Sequence, residues 1–172
     1  MPLQNWYYNE TKTLIIPYYF DEKLKYIPID TKIIIFEDKK IDRIYLKYSL
    51  FSQNVDKLPK NLTHLTLGYY FNKNIDNLPK NLTHLTLGCN FNKKIDNLPK
   101  NLTHLTLGCY FDKNIDNLPK NLTHIIFGEC YNKKVDNLPI SLKKLSIYNY
   151  QKKLFKIPFG CEIIELREYY IL

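Results

Sequence analysis

All four histidines of the chain, His64, His84, His104 and His124, recur at intervals of twenty residues within near-identical surroundings. Neutral imidazoles one strand apart could share a divalent cation, and protonating them at about pH 6 would set like charges side by side. Metal binding and pH sensing are therefore the reactive chemistries open to the column. A structural zinc site, however, draws its ligands from converging directions, and a row of identical side chains does not supply that. Duplication of a residue that suits an exposed strand accounts for the pattern, so no metal and no cofactor are expected, and the column is read as a contact surface.

Cys89 and Cys109 occupy the same slot of neighbouring units, with Cys130 and Cys161 elsewhere. None has the short spacing of a zinc or redox motif, and reduced thiols are expected. A Cys/His site would also need an orienting group and a pocket, for which no residue pattern speaks. The glycines stand singly, one per unit, and make no phosphate-cradling loop. Catalysis asks for different groups converging on one pocket, so the chain is not expected to be an enzyme.

The charges also form rows: Lys60, Lys80, Lys100 and Lys120; Lys73, Lys93, Lys113 and Lys133; Asp56, Asp76, Asp96, Asp116 and Asp136. The net charge of +8 is thus spread over the convex and lateral sides, interrupted by aspartates. A solvated surface is the expectation, and nucleic acid is an unfavoured partner.

What must position these rows is a repeat. The run Leu-Pro-Lys-Asn-Leu-Thr-His-Leu-Thr-Leu-Gly begins at Leu58, Leu78 and Leu98, and a near copy begins at Leu118. A period of roughly 20 to 29 residues with this leucine spacing marks a leucine-rich solenoid. Alternation places Leu65 and Leu67 inward and His64 and Thr66 outward. Leu58, Leu62, Phe71 and Ile75 turn inward from the other sides of the coil. One coil cannot bury six such side chains, so neighbours must stack, with spines such as Phe71, Phe91, Phe111 and Tyr131 running through the core. Gly68 and its equivalents follow each strand, where a Cβ is expected not to fit.

The fold class is a leucine-rich-repeat-like solenoid with short parallel strands in one concave sheet. Its convex side is expected to hold turns, polyproline II or 3₁₀ segments and little or no α-helix. Nine strands are expected, centred near Ile15, Ile35, Tyr45, Thr66, Thr86, Thr106, Ile126, Ser146 and Glu165. The domain is single. Residues 1–57 form an N-terminal cap and degenerate repeats, 58–137 four regular repeats, and 138–172 degenerate repeats and a C-terminal cap. Trp6, Tyr7 and Tyr8 are placed over the first coil. The apolar Tyr169, Tyr170, Ile171 and Leu172 either cap the last coil or make a homodimer through it.

A hydrophobic content of 45% over 172 residues supports a real core. Residues 1–10 show no signal-peptide pattern and no run reaches membrane-spanning length, which suggests an intracellular, cytoplasmic protein without a membrane partner. The Asn-Leu-Thr triplets at Asn61, Asn81, Asn101 and Asn121 then follow from repetition alone.

The unit from Leu78 to Gly88, followed by Phe91, Asn92 and Ile95, resembles the FNIP repeat, a leucine-rich-repeat relative found in social amoebae and giant DNA viruses. The proline of the family name is absent, for example in Phe71-Asn72-Lys73-Asn74-Ile75. The resemblance implies a solenoid and a protein-interaction module; some family members carry an F-box for recruitment to a ubiquitin ligase, whereas residues 1–50 here read as repeat and cap. The expected function is a non-catalytic scaffold for a protein partner. Its contact residues are His64, Thr66, His84, Thr86, His104, Thr106 and His124 on the concave face and Tyr69, Tyr70 and Tyr110 on the rim. A structural or self-associating protein is the alternative.

Overall fold

The computed structural model describes residues 3–40 and 46–167. A 3₁₀ helix at Leu3–Trp6 leads into strands β1 (Tyr7–Tyr8), β2 (Thr13–Ile16), β3 (Ile33–Phe36), β4 (Lys39–Lys40) and β5 (Leu46–Lys47). The regular repeats supply β6 (His64–Thr66), β7 (His84–Thr86), β8 (His104–Thr106) and β9 (His124–Ile126). β10 (Lys144–Tyr148), a second 3₁₀ helix at Asn149–Leu154, and β11 (Glu162–Leu166) complete the coil.

These strands make the expected parallel solenoid. One nine-stranded sheet runs β1-β2-β3-β6-β7-β8-β9-β10-β11, parallel throughout except for the antiparallel β1. Register is exact in the repeats, with Leu65 on Leu85 and Leu85 on Leu105. Eight expected strand centres fall on strands of this sheet; Tyr45 lies outside the described residues, as do Ile41 and Ile44. In the sheet β3 pairs directly with β6, so no strand stands between them. β4 and β5 pair antiparallel as a separate ribbon, and β1 is the ninth strand. No described helix is long and apolar enough to cross a membrane.

Each coil is bent by two tight turns that the repeat writes into the chain. The Leu62 N–H returns to the Pro59 carbonyl at 3.1 Å, and the Phe71 N–H to the Gly68 carbonyl at 3.1 Å, and both bonds recur in the next coils. Pro59 enters the first turn without an N–H to satisfy. Gly68, Gly88, Gly108 and Gly128 do not have a positive φ, and their role is contact between coils. A Cβ on Gly88 would lie 1.9 Å from the Gly68 carbonyl oxygen, and one on Gly108 would meet Gly88 equally closely.

The core is a set of columns. Rings of Phe20, Phe51, Phe71, Phe91, Phe111, Tyr131 and Phe155 follow one another at 6.4, 6.1, 6.2, 6.3, 6.2 and 6.1 Å, with planes nearly parallel. Burying each such side chain stabilises by roughly 1.5–3 kcal/mol, shared with both neighbours. Polar columns run outside it: Asn81 Nδ2 donates to the Lys60 carbonyl at 3.1 Å, and Asn101 and Asn121 repeat the bond at 3.0 Å.

The coils change at both ends. Trp6 packs on Phe20 with centroids 5.4 Å apart. After β10 the 3₁₀ helix displaces the backbone from the inter-coil ladder. Buried Gln151 replaces the lost donors, its Nε2 reaching the carbonyls of Gly128 (2.9 Å) and Tyr131 (3.0 Å) while its Oε1 accepts the Tyr148 N–H at 3.0 Å.

The Tyr131 hydroxyl, in the phenylalanine column, is buried with no hydrogen-bond partner among the described residues. An unmet buried hydroxyl costs about 1–3 kcal/mol, so Tyr131→Phe should stabilise the chain by about 1 kcal/mol. Phe111→Ala, which opens a cavity between two coils, should destabilise it by about 3–5 kcal/mol. Urea unfolding followed by circular dichroism checks both, and a destabilised Tyr131→Phe chain would mean that the hydroxyl has a partner.

Candidate functional site

The concave sheet carries two outward columns set by strand alternation. The first runs Ile33, His64, His84, His104, His124, Lys144 and Glu162; the second runs Ile35, Thr66, Thr86, Thr106, Ile126, Ser146 and Ile164. The structure brings the four histidines and three threonines into one contiguous patch. The isoleucines that frame it, Ile33, Ile35, Ile126 and Ile164, were missed in the sequence because they belong to copies whose strand residues differ from Leu-Thr-His-Leu-Thr. Pairing each degenerate strand with its neighbour is the signal that finds them.

The imidazoles stack face to face, with centroids at 4.1, 4.1 and 4.3 Å and planes within 13°. Each Nδ1 touches the Oγ1 of the preceding threonine: Thr63 at 2.8 Å, and Thr83, Thr103 and Thr123 at 2.9 Å. Each of these hydroxyls in turn donates to a carbonyl one coil back, Lys32, Thr63, Thr83 and Thr103 in order, at 3.0–3.1 Å. The half-buried threonines before the histidines therefore hold the rings, a role the repeat alone did not reveal.

Burial, followed by the neighbouring His64, His104 and His124, pulls the His84 pKa down to about 4. Burial, then His124 and His64, also lowers that of His104. The middle of the column is thus neutral at physiological pH. Among the described residues no three His, Cys, Asp or Glu side chains converge as a metal site would require.

The rim lies where the strands exit. Tyr69 lies against Tyr48 with centroids 3.9 Å apart and planes tilted by 30°, and it meets Tyr70 edge-on at 4.9 Å, forming an aromatic corner on the first regular coil. Tyr70 and Tyr110 are about half exposed, and Asn90 separates them in their column. Beside Tyr69, burial and then Cys109 push the Cys89 thiol up to about 12, and burial raises that of Cys130 as well. Such thiols stay protonated and are poor nucleophiles. Tyr169, Tyr170, Ile171 and Leu172 lie outside the described residues.

The rows, the strand register and the turn pattern define a leucine-rich-repeat class of solenoid. The family model of the FNIP repeat matches residues 51–90, 74–110, 91–130 and 111–150. The chain belongs to the FNIP repeat family. Among solved structures it is similar to CroV588, a circular LRR protein from a giant virus, at 32% identity and a TM-score of 0.64 over 90% of this chain. The chain covers only 27% of that protein. No curated protein matches it. Solenoids of this kind are typically non-catalytic.

His84 and His104 take up protons less readily folded than unfolded, so between about pH 6.5 and pH 4 the unfolded chain binds more protons. Their contribution is intact above the unfolded value and is lost as pH falls through that window. Urea midpoints should therefore drop from about pH 7 to about pH 5, and a His84→Phe, His104→Phe chain should show a flatter profile. Identical profiles for the two proteins would remove the histidines as the cause.

Proposed function

We propose that the chain is a non-catalytic scaffold that binds a protein partner across its concave sheet. The contact residues are His64, Thr66, His84, Thr86, His104, Thr106 and His124, with Tyr69, Tyr70 and Tyr110 along the rim. One observation carries the reading. A patch of ring edges and hydroxyls is fixed on a rigid sheet, flanked by the half-exposed isoleucines and tyrosines that interfaces favour. Rows of identical groups suit an extended contact, and among the described residues no three His, Cys, Asp or Glu side chains converge. The likeness to a leucine-rich-repeat protein supports the same reading, at the level of fold.

A photo-crosslinking amino acid at Thr86, compared with one at the exposed Lys94 outside the sheet, tests this in native host cells. The Thr86 probe should trap a discrete protein, and replacing His84, His104 and Tyr110 by alanine should abolish the adduct. Trapping only from Lys94, or only of nucleic acid, would overturn the assignment.

A further inference from the structure

We infer that the histidine column is an acceptor-only rail, four Nε2 lone pairs aimed at the partner, and that it takes a polypeptide segment bearing neutral amide or hydroxyl donors in place of carboxylates. This rests on the concave face being the binding face.

The argument starts at the threonines. A hydroxyl has one hydrogen, and Thr83 Oγ1 stands 3.1 Å from the Thr63 carbonyl oxygen and 2.9 Å from His84 Nδ1. The carbonyl can only accept, whereas Nδ1 can do either. If the hydroxyl hydrogen went to Nδ1, the lone pairs of two oxygens would face each other at 3.1 Å. If it goes to the carbonyl, the ring must supply the other hydrogen, and every contact is satisfied. That carbonyl already accepts the N–H groups of Thr83 (2.8 Å) and His84 (3.0 Å), so the hydroxyl is its third donor. The second arrangement still is the one in which no lone pairs oppose, and it repeats in all four coils.

With hydrogen on Nδ1, neutral imidazole keeps a bare lone pair on Nε2. No described residue bonds to any of the four Nε2 atoms, and none of them is a buried unsatisfied atom, so they open to solvent. The stacked rings place them in line, one per coil.

Charge then selects the donor. Lys144 continues the histidine column and pairs with Glu162 at 3.7 Å, while Lys32 and Lys143 flank it in the row of Thr63 and Thr123. Lysine or arginine on the partner would meet these cations. A carboxylate would be drawn by them but would bring acceptor against acceptor at the rail. Asparagine, glutamine, serine, threonine and tyrosine meet neither obstacle.

Two measurements decide the matter on the whole chain. Long-range ¹H–¹⁵N correlation spectra at about pH 7.5 should show all four rings protonated at Nδ1. Thr83→Ser with Thr103→Ser should keep that signature, and Thr83→Val with Thr103→Val should mix the tautomers at His84 and His104. Predominant Nε2–H in the native chain would overturn the rail. Random twelve-residue peptides selected on the immobilised chain should be rich in amide and hydroxyl residues and poor in Asp and Glu. They should bind the His84→Phe, His104→Phe chain at least about tenfold more weakly. Histidine-dependent peptides rich in Asp and Glu would overturn the donor rule while leaving the concave face as the binding site. Peptides indifferent to the histidine changes would remove that face itself.

Discussion

Everything in this molecule depends on coils stacking in register at strand spacing. A single coil of twenty residues presents six apolar side chains and has no second layer in which to bury them, so its fold exists only against its neighbours. The glycine row sets how closely they approach, since any Cβ at Gly88 or Gly108 would collide with the carbonyl one coil earlier. Once that distance is fixed, the phenylalanine column, the asparagine bonds and the histidine stack all follow from the same translation. Apolar burial supplies most of the driving force; the polar columns satisfy groups that stacking would otherwise strand.

That translation explains what could be read from the sequence. Where the repeat is nearly identical, linear recurrence converts directly into spatial rows, and the inward and outward assignments of Leu65, His64 and Phe71 needed no further information. Between Phe36 and Phe51 the correspondence fails, and it resumes at Phe51, which stacks on Phe71. Ile44 and Leu46 alternate like a strand, but the segment lacks the Leu-Pro opening that bends each coil into the sheet. β3 instead pairs directly with β6. Apolar alternation is a local property, whereas membership in the sheet requires turns that bring the segment back at the right height.

The proposed contact face was legible in outline for the same reason, and illegible where function depends on the coil before. Thr66, Thr86 and Thr106 were visible as an exposed row. Thr63, Thr83, Thr103 and Thr123 had no assigned role, because a hydroxyl committed to a carbonyl twenty or more residues earlier leaves no trace in local pattern. Yet these hydroxyls hold the imidazoles, so the face is preorganised by the ladder that joins the coils. A partner would meet side chains with little rotamer freedom left to lose. Burial within the same stack makes protonation of His84 and His104 unfavourable, so the rigidity and the neutrality of these two rings have one origin.

The first and last described coils differ from the regular ones in different ways. At the start, the 3₁₀ helix and the antiparallel β1 fold across the first coil, and Trp6 closes the aromatic column at Phe20. Among the described residues β11 is an edge strand, with Ile163 and Ile164 more than a third exposed. Its register pairs Glu165 with buried Ile147, so a carboxylate occupies the slot that Ile147, Phe127 and Leu107 fill in the preceding coils, and Lys152 holds it at 3.0 Å. An inward-row charge is a recognised obstacle to adding another strand. A further coil stacked there would have to bury that ion pair or break it, and a buried pair recovers little of its desolvation cost. The end is thereby biased against growth by the same row logic that builds the core: one changed residue in an inward column is felt as a discontinuity along the whole stack.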